Sequence, residues 1–393
     1  MSRRGSVQQE GRKAGDKAVR GVPWYFVADI APPGGKRKQV RRRGFATKEA
    51  AETALDELIG NVRSGTHVAP AKGSLGDYLK AWVAALPAAG RRPTTVASYD
   101  KYVRRYVIDG DLGAVPLQAV NALDLDQLYA RLLVDGRRDG KPLSHRSVRY
   151  LHAILSKALS DAERKGLIAR NPARLATPPS ASSAKAPEMV VWSPAQLRSF
   201  LERNRDHHHA AMFRLAAMTG MRRGELCGLR WSDVDLDAAR ITVRQSITTV
   251  DHRPVLGDVK SARSRRSIDV DPATIATLKA HRKAQVEQRM LMGAGYTDSG
   301  LVFAMPDGQA WNPDTITQAF ERLAAAAKDL PRIRLHDLRH SHATHLLAAG
   351  ANVKLVSERM GHASTSFTLD VYGHVLPGQQ ADAAAAVAAL VDG

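Results

Sequence analysis

The sequence contains a single cysteine, Cys227, in 393 residues. No disulfide can therefore form within the chain, and no thiolate-rich metal cluster can be built. Because Cys227 lies in an apolar stretch, we expect a buried, unreactive thiol. Long apolar runs are also lacking, since no segment approaches the ~18 apolar residues of a membrane-spanning helix. The polar, charged residues 1–20 lack the apolar segment of a secretory signal.

Acidic residues are scarce relative to basic ones: 39 Asp and Glu stand against 58 Lys and Arg, for a formal net charge of +19. Such an excess repels itself and favours a polyanionic partner, of which nucleic acid is the simplest. A solvated cationic surface without a partner is the alternative. Without a signal or a membrane span, we expect the protein to act in the cytoplasm, on the nucleoid. The length of the chain predicts two or three domains.

The first part of the chain, residues 1–65, is predicted to form a small sheet and one helix. Residues 1–20 are basic and poor in apolar groups, which indicates disorder. Strand patterns at 24–30 and 36–43 flank a Pro-Gly turn, and a helix capped by Thr47 follows. The second strand is strongly basic, and its candidate DNA-binding side chains are Lys36, Arg37, Lys38, Arg41, Arg42 and Arg43.

Apolar residues at helical spacing predict a four-helix bundle in residues 72–175, and these stripes indicate a packed core rather than a cofactor site. The predicted helices span 75–86, 94–108, 123–134 and 147–165. Charged side chains on the outer faces form either a solvated surface or contacts to DNA phosphates, and the pattern leaves both open. The candidates for phosphate contact are Lys101, Arg104, Arg105, Arg146 and Arg149.

A Pro-, Ser- and Ala-rich segment, residues 176–188, is predicted to link the bundle to a third part, residues 189–393. Ser193, followed by proline, caps a helix there. Strand patterns occur at 240–243 and 255–270, and the rest is helical to an alanine-rich tail. The predicted fold is thus multidomain and mainly α with small β-sheets, the third part being mixed α/β but mostly helical.

Three short motifs in the third part supply arginines, histidines and a tyrosine in a fixed order. In chain order these residues are Arg222, His336, Arg339, His362 and Tyr372. Their order and local sequence resemble the tyrosine recombinases, the phage integrase family. The small basic sheet domain resembles the arm-type DNA-binding domain of many phage integrases, and the helical bundle resembles the core-binding domain of the family.

The resemblance implies that Tyr372 attacks a DNA phosphate and becomes covalently linked to the 3′-phosphate. Arg222 and Arg339 would hold that phosphate, because planar guanidiniums donate in a fork to two oxygens and suit the charge of the transition state. Lys260, on a basic hairpin, corresponds to the lysine that protonates the 5′-oxygen leaving group. A solvated hairpin tip is the alternative for Lys260.

A tyrosine phenol has an ordinary pKa of about 10, so it needs help to lose its proton at neutral pH. By the same resemblance, His336 occupies the base position, and His362 the position that hydrogen-bonds the phosphate or the tyrosine. Glu225, three residues after Arg222, is expected to orient this arrangement by hydrogen bonding. Arg223 would point away from it on a helix.

The histidines allow a rival interpretation as a metal site, because His336 and His340 stand at i and i+4 with an acid between them. Zinc hydrolases use Glu rather than Asp at that position, and a third ligand is not evident, so we predict no metal. The histidine run 207–209 is expected to be an exposed helix start. The chain also lacks a G-x-x-x-x-G-K-S/T loop. Because transesterification stores the energy of the broken bond in the phosphotyrosine, no nucleotide cofactor is expected.

The resemblance implies a site-specific recombinase that integrates or excises a phage or other mobile element, with chemistry like that of type IB topoisomerases. A conjugative-transposon recombinase has the same chemistry. A catalytically idle DNA-binding or architectural protein of the same fold is the alternative from another class. Expected partners are double-stranded DNA with core and arm attachment sites, further copies of the chain in a tetramer on DNA, and an excisionase or host DNA-bending protein.

Overall fold

The computed structural model describes residues 5–12, 17–30, 38–63, 73–184, 189–258, 265–362, 364–372 and 379–392. The chain divides into two compact units, Met1–Ala186 and Pro187–Gly393. The described parts are mostly helical with small antiparallel sheets, which confirms the predicted fold class. None of the described helices is long and apolar enough to cross a membrane. The finer domain boundaries inferred from the sequence remain predictions.

The first unit begins with a three-stranded antiparallel sheet, in the order β1-β2-β3, and a helix packed against it. These elements are β1 (Gly5–Gln9), β2 (Trp24–Ile30), β3 (Lys38–Phe45) and α1 (Lys48–Arg63). Thr47 caps α1, because its hydroxyl accepts a hydrogen bond from the Ala50 amide at 3.1 Å. Strands β2 and β3 and helix α1 lie close to the positions that the sequence predicts for them.

Disorder was the wrong expectation for Gly5–Gln9, which pairs with β2 from Gly5 opposite Ala28 to Gln9 opposite Trp24. The Gln9 side chain is buried, and its amide nitrogen donates to the carbonyls of Val19 and Val22. A backbone ladder and a satisfied buried amide therefore replace the apolar side chains that this segment lacks.

The basic candidates on β3 lie on an exposed strand. The Arg41 guanidinium lies 4.1 Å from the centre of the Tyr25 ring, and Arg43 approaches Glu10 at 3.7 Å. Arg42 is exposed. The candidates that fall outside the described side chains are Lys36, Arg37 and Lys38.

The rest of the first unit is a helical bundle, and the four predicted helices are all present. Its helices are α2 (Leu75–Ala85), α3 (Pro93–Val103), a short α4 (Asp111–Ala114), α5 (Ala122–Asp135) and α6 (His145–Arg164). Ser74, Asn121 and Ser144 cap α2, α5 and α6 by accepting hydrogen bonds from backbone amides. The apolar stripes of these helices form one buried core, as predicted.

Two of the five basic residues predicted on the outer faces of the bundle are tied to groups of the same unit. Arg104 forms an ion pair with Asp100 at 2.7 Å, and Arg149 donates to the Pro179 carbonyl at 2.6 Å. A third candidate, Arg105, has its guanidinium 5.2 Å from the centre of the Tyr106 ring, and the other two candidates are Lys101 and Arg146. Contact of these residues with DNA remains a prediction.

The described part of the second unit contains nine α-helices and two small sheets, and its main core includes Trp192, Phe200, Phe213 and Phe320. Its helices are α7 (Pro194–Arg203), α8 (Ala210–Thr219), α9 (Arg223–Cys227), α10 (Pro272–Met292), α11 (Pro313–Ala326), α12 (Asp337–Ala348), α13 (Val353–Met360), α14 (Thr365–Tyr372) and α15 (Gln379–Val391). Its strands are β4 (Val234–Asp235), β5 (Arg240–Val243), β6 (Gln245–Val250), β7 (Arg253–Asp258) and β8 (Arg266–Asp269).

The strand pattern at 255–270 divides between two sheets. β7 pairs with β6 in a hairpin, and β8 pairs with β5 in the three-stranded sheet β4-β5-β8. β6 is not apparent in the sequence, because only Ile247 of its residues is buried and the strand lacks an alternating apolar pattern. Its pairing with β7 depends on backbone hydrogen bonds.

Two side chains test the expectations about burial in this unit. Cys227 is fully buried, and burial raises the pKa of its thiol to about 12, which confirms an inert thiol. The run 207–209 was predicted to be an exposed helix start, but His209 is buried and packs edge-on against Trp311 at 4.9 Å. The His209 ring also has a polar contact, since its Nε2 lies 3.0 Å from Nε2 of His208.

Gly220 ends α8 in the left-handed conformation, with φ of +63°. A Cβ added there would lie 2.7 Å from the Met360 sulfur and 2.9 Å from the His342 ring. Gly361 ends α13 in the same way, also with φ of +63°. Both glycines turn the chain sharply beside the motif residues.

We expect Gly220→Ala to destabilise the second unit by about 2–5 kcal/mol. A left-handed alanine costs about 1–2 kcal/mol, and overpacking adds about 1–3 kcal/mol. Gly350→Ala is the matched control, with φ of +81° but no described atom within 4 Å of an added Cβ. Urea unfolding followed by circular dichroism measures both. Equal losses in the two variants would show that Met360 and His342 do not crowd position 220.

Candidate active site

The residues of the three motifs lie at the ends of helices. Arg222 is the residue before α9, Arg339 lies in the first turn of α12, His362 follows α13, and Tyr372 is the last residue of α14. Helix ends leave backbone carbonyls and amides unpaired. The motif side chains use several of these groups as partners.

Both arginines bind the turn that ends α13. Arg222 donates from Nη2 to the Gly361 carbonyl at 2.9 Å, and Arg339 donates from Nη2 to the Met360 carbonyl. Arg339 also donates from Nη1 to the Gly220 carbonyl. The left-handed glycines thus present carbonyls that hold two guanidiniums beside His362.

The Arg339 side chain is almost completely buried. Burial, and then the charge of Arg222, lowers its pKa to about 9, so it remains a cation at neutral pH. Backbone carbonyls thus hold two cations close together, and an anion bound between them would replace their mutual repulsion with attraction.

Glu225 binds Arg222 and a further arginine, Arg266. Its carboxylate accepts the Arg222 backbone amide at 2.9 Å and Arg222 Nη1 at 2.8 Å, and it accepts both Nη1 and Nη2 of Arg266 at 3.2 and 2.8 Å. Burial acts to raise the pKa of Glu225, but the hydrogen bonds and charges of Arg266 and Arg222 outweigh it and lower the pKa. The carboxylate is therefore ionised, and it orients Arg222 as the sequence predicts.

Arg266 is a site residue that the sequence analysis missed. It lies on β8 with a side chain only 6% exposed, and its Nε donates to the Arg359 carbonyl at 2.7 Å. Alternation along β8 offered a signal, since Arg266 shares a face with the buried Ile268. Lys260 lies outside the described residues, so its place at this site remains a prediction.

Tyr372 is 1% exposed and packs against Leu347, Val356 and Met360. Its hydroxyl lies 2.6 Å from Nδ1 of His340. Burial raises the pKa of Tyr372 to about 12, although Arg339 acts to lower it. The phenol is therefore protonated at neutral pH.

His362 stands beside Tyr372, with ring centres 6.5 Å apart and planes at 9°. Its Nδ1 lies 2.8 Å from the buried Thr368 hydroxyl. Burial, followed by the charges of Arg339 and Arg222, lowers the pKa of His362 to about 3, so the ring is neutral at physiological pH.

His336 lies at the surface, and its ring meets that of His340 edge to face, with centres 5.1 Å apart. Desolvation by the surrounding groups, followed by the charges of His340 and Arg339, lowers the pKa of His336. The structure therefore places His340, rather than the predicted base His336, in contact with the Tyr372 hydroxyl. The i, i+4 spacing of the two histidines carried this signal, because it puts both on one helix face.

Arg223 points away from the cluster, as the sequence predicts. Its Nη1 donates to Asp314 at 2.8 Å and to Thr317 at 2.7 Å, both on α11. Within the described ranges, no group of three or more His, Cys, Asp or Glu side chains could hold a metal ion.

Residues 193–378 match the phage integrase family, and residues 16–62 match the arm DNA-binding domain. The chain belongs to the phage integrase family. As a phage integrase it is a tyrosine-type site-specific recombinase. The longer match contains every motif residue from Arg222 to Tyr372.

Several relatives of this phage integrase span most of the chain. A XerC-like tyrosine recombinase of Caldanaerobacter subterraneus subsp. tengcongensis is 26% identical and covers 92% of this chain and 95% of its own. An integrase of Streptomyces ambofaciens is 27% identical and covers 89% and 88%. The ICEBs1 integrase of Bacillus subtilis is 27% identical and covers 72% and 75%.

Solved structures share the fold of this phage integrase. The Tn1549 transposon integrase in complex with a circular intermediate DNA matches with a TM-score of 0.63 at 20% identity, covering 77% of this chain and 95% of that one. A lambda integrase tetramer bound to a Holliday junction matches with a TM-score of 0.55 at 17% identity, covering 88% and 92%. At these identities the likeness concerns the fold.

The ion pairs of Glu225 predict a pH-dependent stability. Glu225→Gln should lower stability at pH 7 by about 3–5 kcal/mol, because it leaves buried arginine charge uncompensated. Since the pKa of Glu225 is lowered in the folded protein, its contribution is complete above the ordinary value of 4.5 and is lost as the pH falls through the lowered one. The difference between wild type and variant should therefore shrink from pH 5 towards pH 3.

Denaturant unfolding at several pH values measures this difference. The exposed Glu321→Gln is the control and should change stability by less than about 0.5 kcal/mol. A wild-type advantage that grows on acidification would contradict the assignment.

Proposed function

We propose that this phage integrase is an integrating and excising recombinase of a phage or other mobile element, and that it cleaves and rejoins DNA through a 3′-phosphotyrosine at Tyr372. One observation carries the proposal. Arg222 and Arg339 both bind the turn that ends α13, and His362, which follows that turn, lies beside Tyr372. A phenol beside a cationic pocket suits attack on a phosphodiester.

Arg222 and Arg339 would hold the two non-bridging oxygens of the scissile phosphate. Each guanidinium already has neutral carbonyl partners, and Glu225 balances only part of the local charge. The phosphate gains negative charge in the transition state, so a fixed cationic pocket stabilises that state more than the ground state.

In the proposed reaction the Tyr372 oxygen bonds to phosphorus while the bond from phosphorus to the 5′-oxygen breaks. The phenol proton passes to a base, for which the histidine pair His336 and His340 is available, and Lys260 gives a proton to the departing 5′-oxygen. His362 would donate a hydrogen bond to the phosphate. Attack by the 5′-hydroxyl of another strand reverses these steps and rejoins the DNA.

We propose double-stranded DNA, with core and arm attachment sites, as the partner. The basic strand β3 and the net charge of +19 support arm and backbone binding. Because four strands must be exchanged and each chain offers one Tyr372, assembly as a tetramer on DNA is part of the proposal. The proposal also includes a further partner, an excisionase or a host DNA-bending protein. It places the protein in the bacterial cytoplasm, on the nucleoid.

The tail helix α15 offers an element for that assembly. Its apolar side chains at Val387, Leu390 and Val391 are all well exposed. A 13-residue helix is too short to be stable without packing. Docking on a neighbouring copy is the proposed arrangement, and docking on its own unit is the alternative.

Tyr372→Phe should bind DNA normally but form no covalent adduct that resists denaturant. The substrate is a nicked duplex that carries the core sequence read from the junctions of the excised or integrated element. Tyr296→Phe, in the same unit, is the matched control and should form adduct at the wild-type rate. An adduct with the Phe variant would assign the nucleophile to another residue.

Lys260→Ala should slow adduct formation by about 10²-fold or more on normal DNA, as expected for loss of a general acid. A substrate with sulfur at the bridging 5′ position needs no proton on its leaving group, so it should recover most of the rate. Lys279→Ala, an exposed lysine on α10, should leave both rates unchanged. Equal loss on both substrates would point to phosphate binding instead of proton transfer.

A further inference from the structure

A second buried carboxylate, that of Asp233, also binds two arginines. Its side chain is 2% exposed, and it accepts Nε of Arg230 at 2.8 Å and Nη2 at 3.3 Å. Nε of Arg244 approaches the same carboxylate at 3.5 Å. The arrangement repeats the one at Glu225, where one buried carboxylate holds two arginines. One negative charge faces two guanidiniums, so the group keeps a positive charge.

Arg230 and Arg244 line a cavity of about 610 Å³ in the second unit. The cavity lies where the two small sheets diverge, because residues of β5 and β8 line it together with the first residue of β6 and the last residue of β7. Among the described residues that line it, one is a carboxylate, Asp258, and four are arginines, Arg230, Arg244, Arg265 and Arg266. The cavity is therefore cationic and suits an anion.

The two arginines at Asp233 can hold a ligand as well as the carboxylate. The Arg230 side chain is 37% exposed and that of Arg244 is 61% exposed. A guanidinium has five N–H donors, more than a shared carboxylate can accept. Its planar fork of donors matches the oxygens of a phosphate group. A phosphate is therefore the ligand chemistry that the cavity favours.

Arg266 connects this cavity to the active site. It lines the cavity, and its guanidinium binds Glu225, which also binds Arg222. Duplex DNA carries one phosphate charge per ~1.7 Å of its axis. A duplex held with one phosphate at Arg222 therefore brings further phosphates close to the cavity.

We propose that Arg230 and Arg244, oriented by Asp233, bind a second phosphate of the DNA duplex, distinct from the one that is cleaved. The inference rests on the proposed function, because the duplex held at Arg222 supplies this phosphate. A contact to the DNA backbone carries no sequence information, so it holds any sequence equally. It contributes to binding before and during the reaction alike and takes no part in bond breaking.

The decisive variant is Arg244→Gln, which removes the charge of an exposed side chain. Its affinity for the nicked junction duplex should fall by about tenfold or more, as for the loss of a charged hydrogen bond. A duplex of unrelated sequence should lose the same factor. The slope of log affinity against log salt concentration should become shallower by about 0.9, the contribution of one neutralised phosphate. At saturating DNA the rate of adduct formation should stay at the wild-type value, because the lost interaction is uniform.

Arg240→Gln is the matched control. Arg240 is an exposed arginine on β5 that pairs with Asp269 at 2.8 Å and is not among the residues that line the cavity. Its affinity and salt slope should equal those of wild type. Arg244→Lys keeps the charge without the fork, so it should recover the salt slope and part of the affinity.

Several results would overturn the proposal. One is an unchanged salt slope in Arg244→Gln, and another is an equal change in Arg240→Gln. A lower rate of adduct formation at saturating DNA with unchanged affinity would make Arg244 part of the reaction chemistry instead. Failure of the proposed function looks different, since wild type would then form no adduct, whereas affinities and salt slopes need no cleavage.

Neutral methylphosphonates, placed one at a time along the nicked duplex, locate the phosphate. One position other than the cleaved one should weaken binding to wild type by about tenfold or more. The same position should have little further effect on Arg244→Gln, because both changes remove one contact. Additive losses at every position would show that Arg244 contacts no single phosphate and would contradict the proposal.

Inorganic pyrophosphate, titrated without DNA, tests a free anion as the other source of phosphate. Pyrophosphate that binds wild type but not Arg244→Gln, together with equal DNA affinities of the two proteins, would assign the cavity to a free phosphate anion. That result would overturn the assignment to duplex DNA. Equal pyrophosphate binding by both proteins, with the expected loss of DNA affinity in Arg244→Gln, would support it.

Discussion

The rest of the site depends on the ion pairs that the buried carboxylate of Glu225 forms with two arginines. Glu225 is 3% exposed and bonds to Arg222 on one side and Arg266 on the other. Without it, buried guanidinium charge would face other guanidinium charge at high free-energy cost. One carboxylate among three arginines, Arg222, Arg266 and Arg339, leaves a net positive charge. A bound phosphate would neutralise that charge.

The same carboxylate links elements that are distant in the chain. Through Arg266 it connects β8 to the end of α13, where the Arg359 carbonyl accepts a hydrogen bond. Through Arg222 it connects the start of α9 to Gly361. His362 is the next residue after Gly361. Its position therefore depends on Arg222 and Arg266, which lie outside α13.

Features of local origin could be predicted from the sequence. Thr47 and Ser193 cap their helices as expected, because a cap involves residues three positions apart. Apolar periodicity located the bundle helices because it, too, is a pattern within a short stretch of the chain. The motif residues were found by their resemblance to a family, and the structure then brought Arg222, Arg339, His362 and Tyr372 together.

Features that depend on tertiary contact could not be predicted in this way. β1 has no apolar pattern and exists because β2 offers a ladder. The contact between His340 and Tyr372 joins residues 32 positions apart, so i, i+4 spacing within α12 revealed a shared face but not what lay opposite. Arg266 stands among several arginines in the sequence, and its contact with the buried Glu225 is a tertiary feature that the local sequence does not reveal.

The burial of Tyr372 has a consequence for fidelity. A side chain that is 1% exposed cannot reach a phosphate until the structure around it rearranges, and that rearrangement has a free-energy cost. Only DNA that interacts strongly with the protein compensates for this cost, and every ~1.4 kcal/mol left uncompensated lowers the reactive population about tenfold. The protein would then distinguish DNA sites at strand cleavage as well as at binding. Chance encounters along a chromosome would leave the DNA uncut.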